Sequence, residues 1–299
     1  MIVADHVERN TTSPDLDKSG RFYLGGNMER LNLKLNRAHD VKDDEFYTPF
    51  KFVANELEHY SFSGDRPIVC PCDGESSAFV KWFRAHGFDP IYSAGDFIDA
   101  LERAPDRAIV VTNPPFSLFR KFVTNVLTGG VGALFARDRG FDLLAVGANV
   151  AASAIDVFPF IKAGRLRGGY TCDRSIAFER PDGGFKNAPV SWYTTLPVER
   201  KSFTPSRSFA DLEACGKIVY LDDKSRRSSI SPRINLTSVI YVDKVENYPA
   251  DYYGFAAIPS NSFYRFEGGG FDFIAPIPDP YVDGEAKFRR IIVKRKKDV

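Results

Sequence analysis

Apolar residues in this chain come in short β-branched runs separated by amphipathic stretches. That alternation predicts strands buried on both faces with helices between them. Phe50, Val53, Leu57 and Tyr60 fall on one side of a helix spanning Phe50 to Tyr60. Pro67-Ile68-Val69-Cys70-Pro71-Cys72 reads as a strand, and Asp73-Gly74-Glu75-Ser76-Ser77 as a turn able to cap the next helix. Phe79, Trp82, Phe83 and His86 recur at i, i+3, i+4 and i+7, an amphipathic helix ended by Gly87. Pro90-Ile91-Tyr92-Ser93 predicts a second strand, Gly95-Asp96-Phe97 a turn, and a short helix runs on through Leu101. Arg107 to Thr112 predicts a third strand, Val131 to Ala136 a fourth, with a helix reaching Leu127 between them. Strand and helix alternating through short connections call for an α/β fold: a mostly parallel sheet with helices on both faces.

The ends of the chain have another texture. Met1 to Gly26 is polar and turn-rich and reads as a loose arm, residues 1–27. From Met28 to Ala38, Leu31 and Leu35 alternate with Arg30, Lys34 and Arg37, a modest amphipathic helix whose basic face is either solvated or set against phosphate. After Ala136 the periodicity loosens. Ala154 to Ala163 has helical spacing that Pro159 opposes, and Arg165 to Phe178 and Val190 to Leu196 read as strands with interleaved aromatics. Pro197 to Ala210, charged and containing Ser and Pro, is the best linker. Beyond it Lys217 to Asp222, Ser238 to Asp243, Phe271 to Ile274 and Arg290 to Arg295 predict short strands separated by turns. The expected organisation is a core over 28–199 and a smaller β-rich region over 200–299, with no internal repeat.

Composition narrows the function classes. With 299 residues, 43% hydrophobic and 26% charged, the chain is an ordinary globular protein with room for a large core. Its 26 Phe and 13 Tyr supply aromatic surface able to stack on flat ligands. A net charge of +1 neither demands nor excludes a nucleic-acid partner, because a local basic face suffices; Lys224-Ser225-Arg226-Arg227 and Lys294-Arg295-Lys296-Lys297 are such clusters. Cys70, Cys72, Cys172 and Cys215 do not have metal-ligand spacing and read as free thiols in a reducing compartment, with no metal. The N-terminus does not have a basic region followed by a long apolar segment, and the run Leu143 to Ile155 is too short for a membrane span. A cytoplasmic protein without a membrane partner is expected.

The most informative stretch is Asn113-Pro114-Pro115-Phe116, directly after Ile109-Val110-Val111. Proline lacks the N–H a sheet ladder needs, so the strand stops abruptly. Helical spacing resumes at Ser117, a candidate N-cap. The turn therefore sets an Asn, stiffened carbonyls and an aromatic at the carboxyl edge of the sheet, where open α/β folds bind ligands. Asp73, Ser93, Asp96 and Phe97 fall at the same edge. Carboxylates and a Phe at successive strand ends suit a nucleoside, although each Asp taken singly is better explained as a helix cap than as a ligand.

These motifs resemble, in order and spacing, those of S-adenosylmethionine-dependent adenine-specific DNA methyltransferases, above all the EcoRI-type branch and its phage relatives. The likeness rests on Asp44-Glu45-Phe46-Tyr47-Thr48-Pro49, Cys70-Pro71-Cys72-Asp73 with Ser76 and Phe79-Val80, and Gly95-Asp96-Phe97. It continues through Asn113-Pro114-Pro115-Phe116-Ser117, Trp192-Tyr193-Thr194 and Tyr248-Pro249-Ala250-Asp251-Tyr252-Tyr253-Gly254 with Ile258-Pro259, covering most of the chain from about residue 28 onward. The turn at Asp73 does not carry the Gly-x-Gly of the wider methyltransferase pattern, nor does that branch. Ser93 stands where most methyltransferases place an acid for the ribose hydroxyls.

The resemblance implies a Rossmann-like methyltransferase core and transfer of methyl from S-adenosylmethionine to the N6 amine of a flipped-out adenine in double-stranded DNA. It implies that Tyr47, Thr48 and Pro49 line the methionine end of the cofactor, that Asp73 meets its amino group, and that Asp96 with Phe97 meets its adenine; Ser93 and Asn113 complete that set. Asn113, Pro114, Pro115 and Phe116 form the catalytic turn. Phe116 and Ser117 bind the substrate base, and Trp192 and Tyr193 either join them or are core aromatics. Residues 200–299 read the DNA, and a cognate restriction endonuclease or a phage setting is compatible with the family. Methylation of RNA adenine or of a protein glutamine, or a silent cofactor-binding module, are the competing expectations.

Overall fold

A computed structural model describes residues 47–93, 97–128, 139–172, 174–180, 183–226 and 234–297. The expected N-terminal arm, the helix at Met28–Ala38, the Asp44-Glu45-Phe46 part of the entry motif, Asp96 and the strand at Val131–Ala136 lie outside these residues.

The larger sheet has seven strands. β1 (Ile68–Cys70), β2 (Ile91–Tyr92), β3 (Ile109–Thr112) and β4 (Asp142–Ala148) are parallel neighbours in the order β2-β1-β3-β4. β7 (Phe185–Thr194) continues the sheet antiparallel to β4, and β5 (Arg167–Gly168) and β6 (Arg174–Glu179) both pair antiparallel along β7. The sheet is therefore mixed, its parallel half carrying the turns singled out in the sequence. The partner of β3 comes from the apolar run at Leu143, whose pattern alone read only as too short for a membrane.

Continuous apolar runs in β1, β3 and β4 result from burial on both faces. Ile68, Cys70, Ile109, Val111, Leu144 and Val146 pack on α1 (Phe50–Leu57) and α2 (Ala78–Ala85). Their alternates Val69, Val110, Leu143 and Ala145 pack on α3 (Phe97–Arg103), α4 (Phe119–Thr128) and α5 (Phe158–Lys162). Helices thus cover both faces, as the alternation predicts. α2 begins at Ser77, whose hydroxyl accepts the Val80 N–H, and Gly87 beyond its C-cap has φ +82. Pro159 opens α5 instead of breaking it, because its missing N–H is one that the first turn leaves unpaired anyway. The helix after the Asn-Pro-Pro-Phe turn starts at Phe119, with Ser117 exposed in the turn before it.

A second sheet of five strands runs β11 (Phe271–Ile277), β14 (Arg290–Arg295), β10 (Phe255–Pro259), β9 (Ile240–Tyr241) and β8 (Val219–Tyr220), and β12 (Tyr281–Val282) pairs with β13 (Glu285–Ala286) in a two-stranded ribbon of their own. One face contributes Ile240, Ala256, Ile258, Ile291 and Val293 to the same buried cluster that holds Val110 and Phe122. Its other face packs Leu221, Leu236, Ala257, Ile277 and Ile292 into a separate cluster. Three basic residues of this region cover aromatic rings: Lys294 over Phe255 at 5.4 Å and Arg295 over Tyr253, both from β14, and Lys224 over Tyr281 at 4.9 Å. No helix among the described residues is long and apolar enough to cross a membrane.

Candidate active site

β1, β2 and β3 end side by side, and the residues just beyond them are Asp73, Ser93 and Asn113. Asp73 is 7% exposed. Thr112 Oγ1 donates to its Oδ2 at 2.6 Å while accepting the Cys72 N–H at 3.2 Å, so the last residue of β3 ties down the turn after β1. The Ser77 hydroxyl and the Asn113 N–H also donate to this carboxyl. Burial outweighs all three and pushes Asp73 up to about 7. Cys70 and Cys72 are likewise driven well above the ordinary thiol range by burial, which leaves them protonated and unreactive.

Asn113 is oriented from the opposite side. Its Nδ2 donates to Thr48 Oγ1 at 3.0 Å across 65 residues, which fixes the amide and leaves Oδ1 as its acceptor. Thr48 is itself held between two anchors. The Tyr47 N–H donates to the Glu179 carbonyl at 2.8 Å, and the Pro49 carbonyl accepts the first N–H groups of α1 from Phe52 and Val53. The far end of α1 is fixed by Glu56, fully buried, whose carboxylate accepts from the Tyr170 and Thr171 N–H groups at 2.7 and 2.6 Å.

These elements enclose a cavity of 740 Å³. Tyr47, Thr48, Pro49, Asp73 and Ser93 line it together with Asn113, Pro114 and Pro115, so eight of the expected residues meet at one site. The pattern did not single out Lys81, Glu179 and Phe185, which also border it; Glu179 and Phe185 come from the β6–β7 hairpin, whose approach no local signal encodes. Phe97 is not a wall of this cavity and packs edge-on to Phe122, centroids 5.5 Å apart. Phe116 sets its ring edge-on to Phe178 at 5.8 Å and borders a separate recess.

For Trp192 and Tyr193 the sequence left a base pocket and the core both open, and their burial favours the core. Both are fully buried in β7, packed among core residues. Trp192 stacks on Phe52 at 5.3 Å and meets Phe79 edge-on at 5.9 Å. Tyr193 donates its hydroxyl to the Ala148 carbonyl at 2.9 Å and accepts the Ala152 N–H, pinning the turn after β4.

The family described as Adenine-specific methyltransferase EcoRI matches residues 34–92 and 88–297. The chain belongs to the EcoRI adenine-specific methyltransferase family. Similar proteins include the Type II methyltransferase M.MpnI of Mycoplasma pneumoniae, 26% identical over 88% of this chain and 98% of that protein. The Type II methyltransferase M.EcoRI of Escherichia coli is 24% identical over 89% of this chain and 97% of its own length. The chain is an adenine-specific DNA methyltransferase, for which membership implies S-adenosylmethionine as the methyl donor. The described residues contain no group of three or more His, Cys, Asp or Glu able to hold a metal ion.

Proposed function

We propose that this methyltransferase modifies the exocyclic N6 of an adenine flipped out of double-stranded DNA, using the Asn113-Pro114-Pro115-Phe116 turn. The observation that carries the reading is the Thr48–Asn113 hydrogen bond, which pre-sets an amide acceptor at the carboxyl edge of the sheet beside a 740 Å³ cavity. The adenine amine is a poor nucleophile because its lone pair is delocalised into the ring. With its two hydrogens accepted by Asn113 Oδ1 and the Pro114 carbonyl, the nitrogen is oriented and its developing positive charge stabilised. The prolines hold that carbonyl before substrate arrives, so little reorganisation is left for the reaction. Phe116 offers the flipped base a ring to stack on, offsetting the stacking lost from the duplex.

The cavity fits the cofactor by its donors and acceptors. Asp73 is a buried acceptor for an ammonium, Ser93 a hydroxyl beside β2 for the ribose, and Tyr47, Thr48 and Pro49 form the wall for the methionine end. The resemblance gives the adenine end to Asp96 and Phe97; Phe97 lies beyond the cavity wall, against Phe122. S-adenosylmethionine supplies an already activated methyl on a sulfonium, so the chemistry calls for neither a metal nor a strong base. Residues 28–199 then carry catalysis, and 200–299, with their basic residues, recognise the target sequence in a cytoplasmic setting that includes a restriction endonuclease partner or a phage. The test is transfer of labelled methyl to unmethylated duplex DNA followed by digestion to nucleosides. N6-methyl-2′-deoxyadenosine as product supports the reading; label on RNA or protein but not on DNA overturns it.

A further inference from the structure

Beside the catalytic turn lies a second recess, 430 Å³, with Phe116 on one wall and Phe288 on another. Asn149, Pro189 and Asn261 complete the part of it relevant to recognition. The recess opens at the end of β4, next to the strand that carries Asn113. Two features give it a direction. Phe288 is a large aromatic left 48% exposed at the rim. Asn261 buries its Oδ1 with no hydrogen-bond partner among the described residues. A half-turn about the last side-chain bond exchanges the amide oxygen and NH2, so a buried end without a partner marks a place where a ligand donor, or after that half-turn a ligand acceptor, can be taken up.

The walls are held firmly. Tyr193 pins the Ala148–Ala152 turn through its hydroxyl and stacks on Phe263, centroids 5.9 Å apart, within the 3-10 segment Ser260–Phe266 that carries Asn261. The Ser260 N–H in turn donates to the Arg289 carbonyl at 3.2 Å, linking that segment to the residue after Phe288.

We propose that Asn261 reads the ring edge of the target base and that Phe288 closes over its face opposite Phe116. This rests on the Asn113 turn being the catalytic one. With both N6 hydrogens taken by Asn113 and Pro114, the groups left on the adenine edges are ring nitrogens, all acceptors. A half-turn of the Asn261 amide presents its NH2 to one of them, the pairing by which amides recognise adenine elsewhere. Aromatic rings on two walls supply stacking without regard to sequence.

The test uses duplexes with 1-deaza-, 3-deaza- or 7-deazaadenine at the methylated position, each removing one ring acceptor. Wild type is expected to lose roughly ten- to a hundredfold in rate on one of the three, and Asn261→Ala to methylate adenine and that analogue equally slowly. Asn261→Asp, which keeps the shape and loses the donor, behaves like Asn261→Ala, with cofactor affinity unchanged in both. Phe288→Ala, at an exposed rim position, lowers the rate and raises KM for DNA. Wild type losing rate on none of the analogues overturns the proposal, as does Asn261→Ala matching wild type on adenine. Absence of methyl transfer by wild type to unmodified DNA is a separate result, which removes the underlying enzyme reading instead.

Discussion

At the scale of single residues the site is governed by Asp73. Its carboxyl, raised to about 7 by burial, keeps a proton that the unfolded chain releases above its ordinary value of 3.8. Linkage sets the sign: this group favours the fold most below that value, and the contribution is lost as pH rises toward 7. A cationic ligand reverses the preference, because it needs the ionised form. S-adenosylmethionine affinity is therefore expected to tighten as pH rises to about 7, by up to tenfold per unit, and to level off above. Asp73→Asn should bind weakly at every pH. Titration calorimetry across that range checks both, and a flat wild-type profile would contradict the assignment. Thr112→Val removes the hydroxyl shared by Asp73 and Cys72. It is expected to cost about 1–3 kcal/mol in stability, read by denaturant unfolding, and to move the inflection in binding to higher pH.

At the scale of elements, α1 is held in place by a carboxylate with no exposed surface. Glu56 accepts from Tyr170, Thr171 and the Tyr60 hydroxyl, and the arrangement leaves no room for a donor. Glu56→Gln turns an NH2 toward N–H groups and should destabilise the protein by about 2–4 kcal/mol, measured as a fall in the urea midpoint. The sequence revealed elements where burial imposes a period. α1 and α2 bury one stripe, and β1 and β3 bury both faces, so each appeared within a few residues of its place. β10 was not legible: Phe255-Ala256-Ala257-Ile258-Pro259 has small residues and a terminal proline, and owes its strand form to pairing with β14 across the chain. The same limit applied at the site. Asp73, Ser93 and Asn113 could be read because each lies just beyond a strand. The Thr112–Asp73 bond spans 39 residues, and nothing local announces it. Trp192 and Tyr193 were ambiguous because a core and a base pocket both favour aromatics; only burial separates them.

For the molecule as a whole, the catalytic sheet and the C-terminal sheet share one apolar cluster. Phe263 stacks on Tyr193, and Ile240, Ala256 and Ile291 lie in the cluster that holds Val110 and Phe122. Ending the chain at residue 199 would expose that surface, so the fragment is expected to be poorly soluble and without cooperative unfolding, as circular dichroism on heating would record. A soluble, cooperatively folding fragment would mean that the two regions are independent. On the proposed division of labour, the shared core would hold a recognition region in fixed register with the Asn113 turn.

The most direct measurement is base-resolved detection of methylated adenine in a methylation-deficient bacterial host expressing the wild-type chain or Asn113→Ala. The wild type is expected to mark adenine within one recurrent sequence. The variant, deprived of the acceptor that orients the amine, should lose a factor on the order of 10² to 10³ in rate and leave those sites largely unmarked. Marks of equal density from both chains would contradict the role given to Asn113. No marks from either, with purified wild type still binding S-adenosylmethionine, would contradict DNA as the substrate.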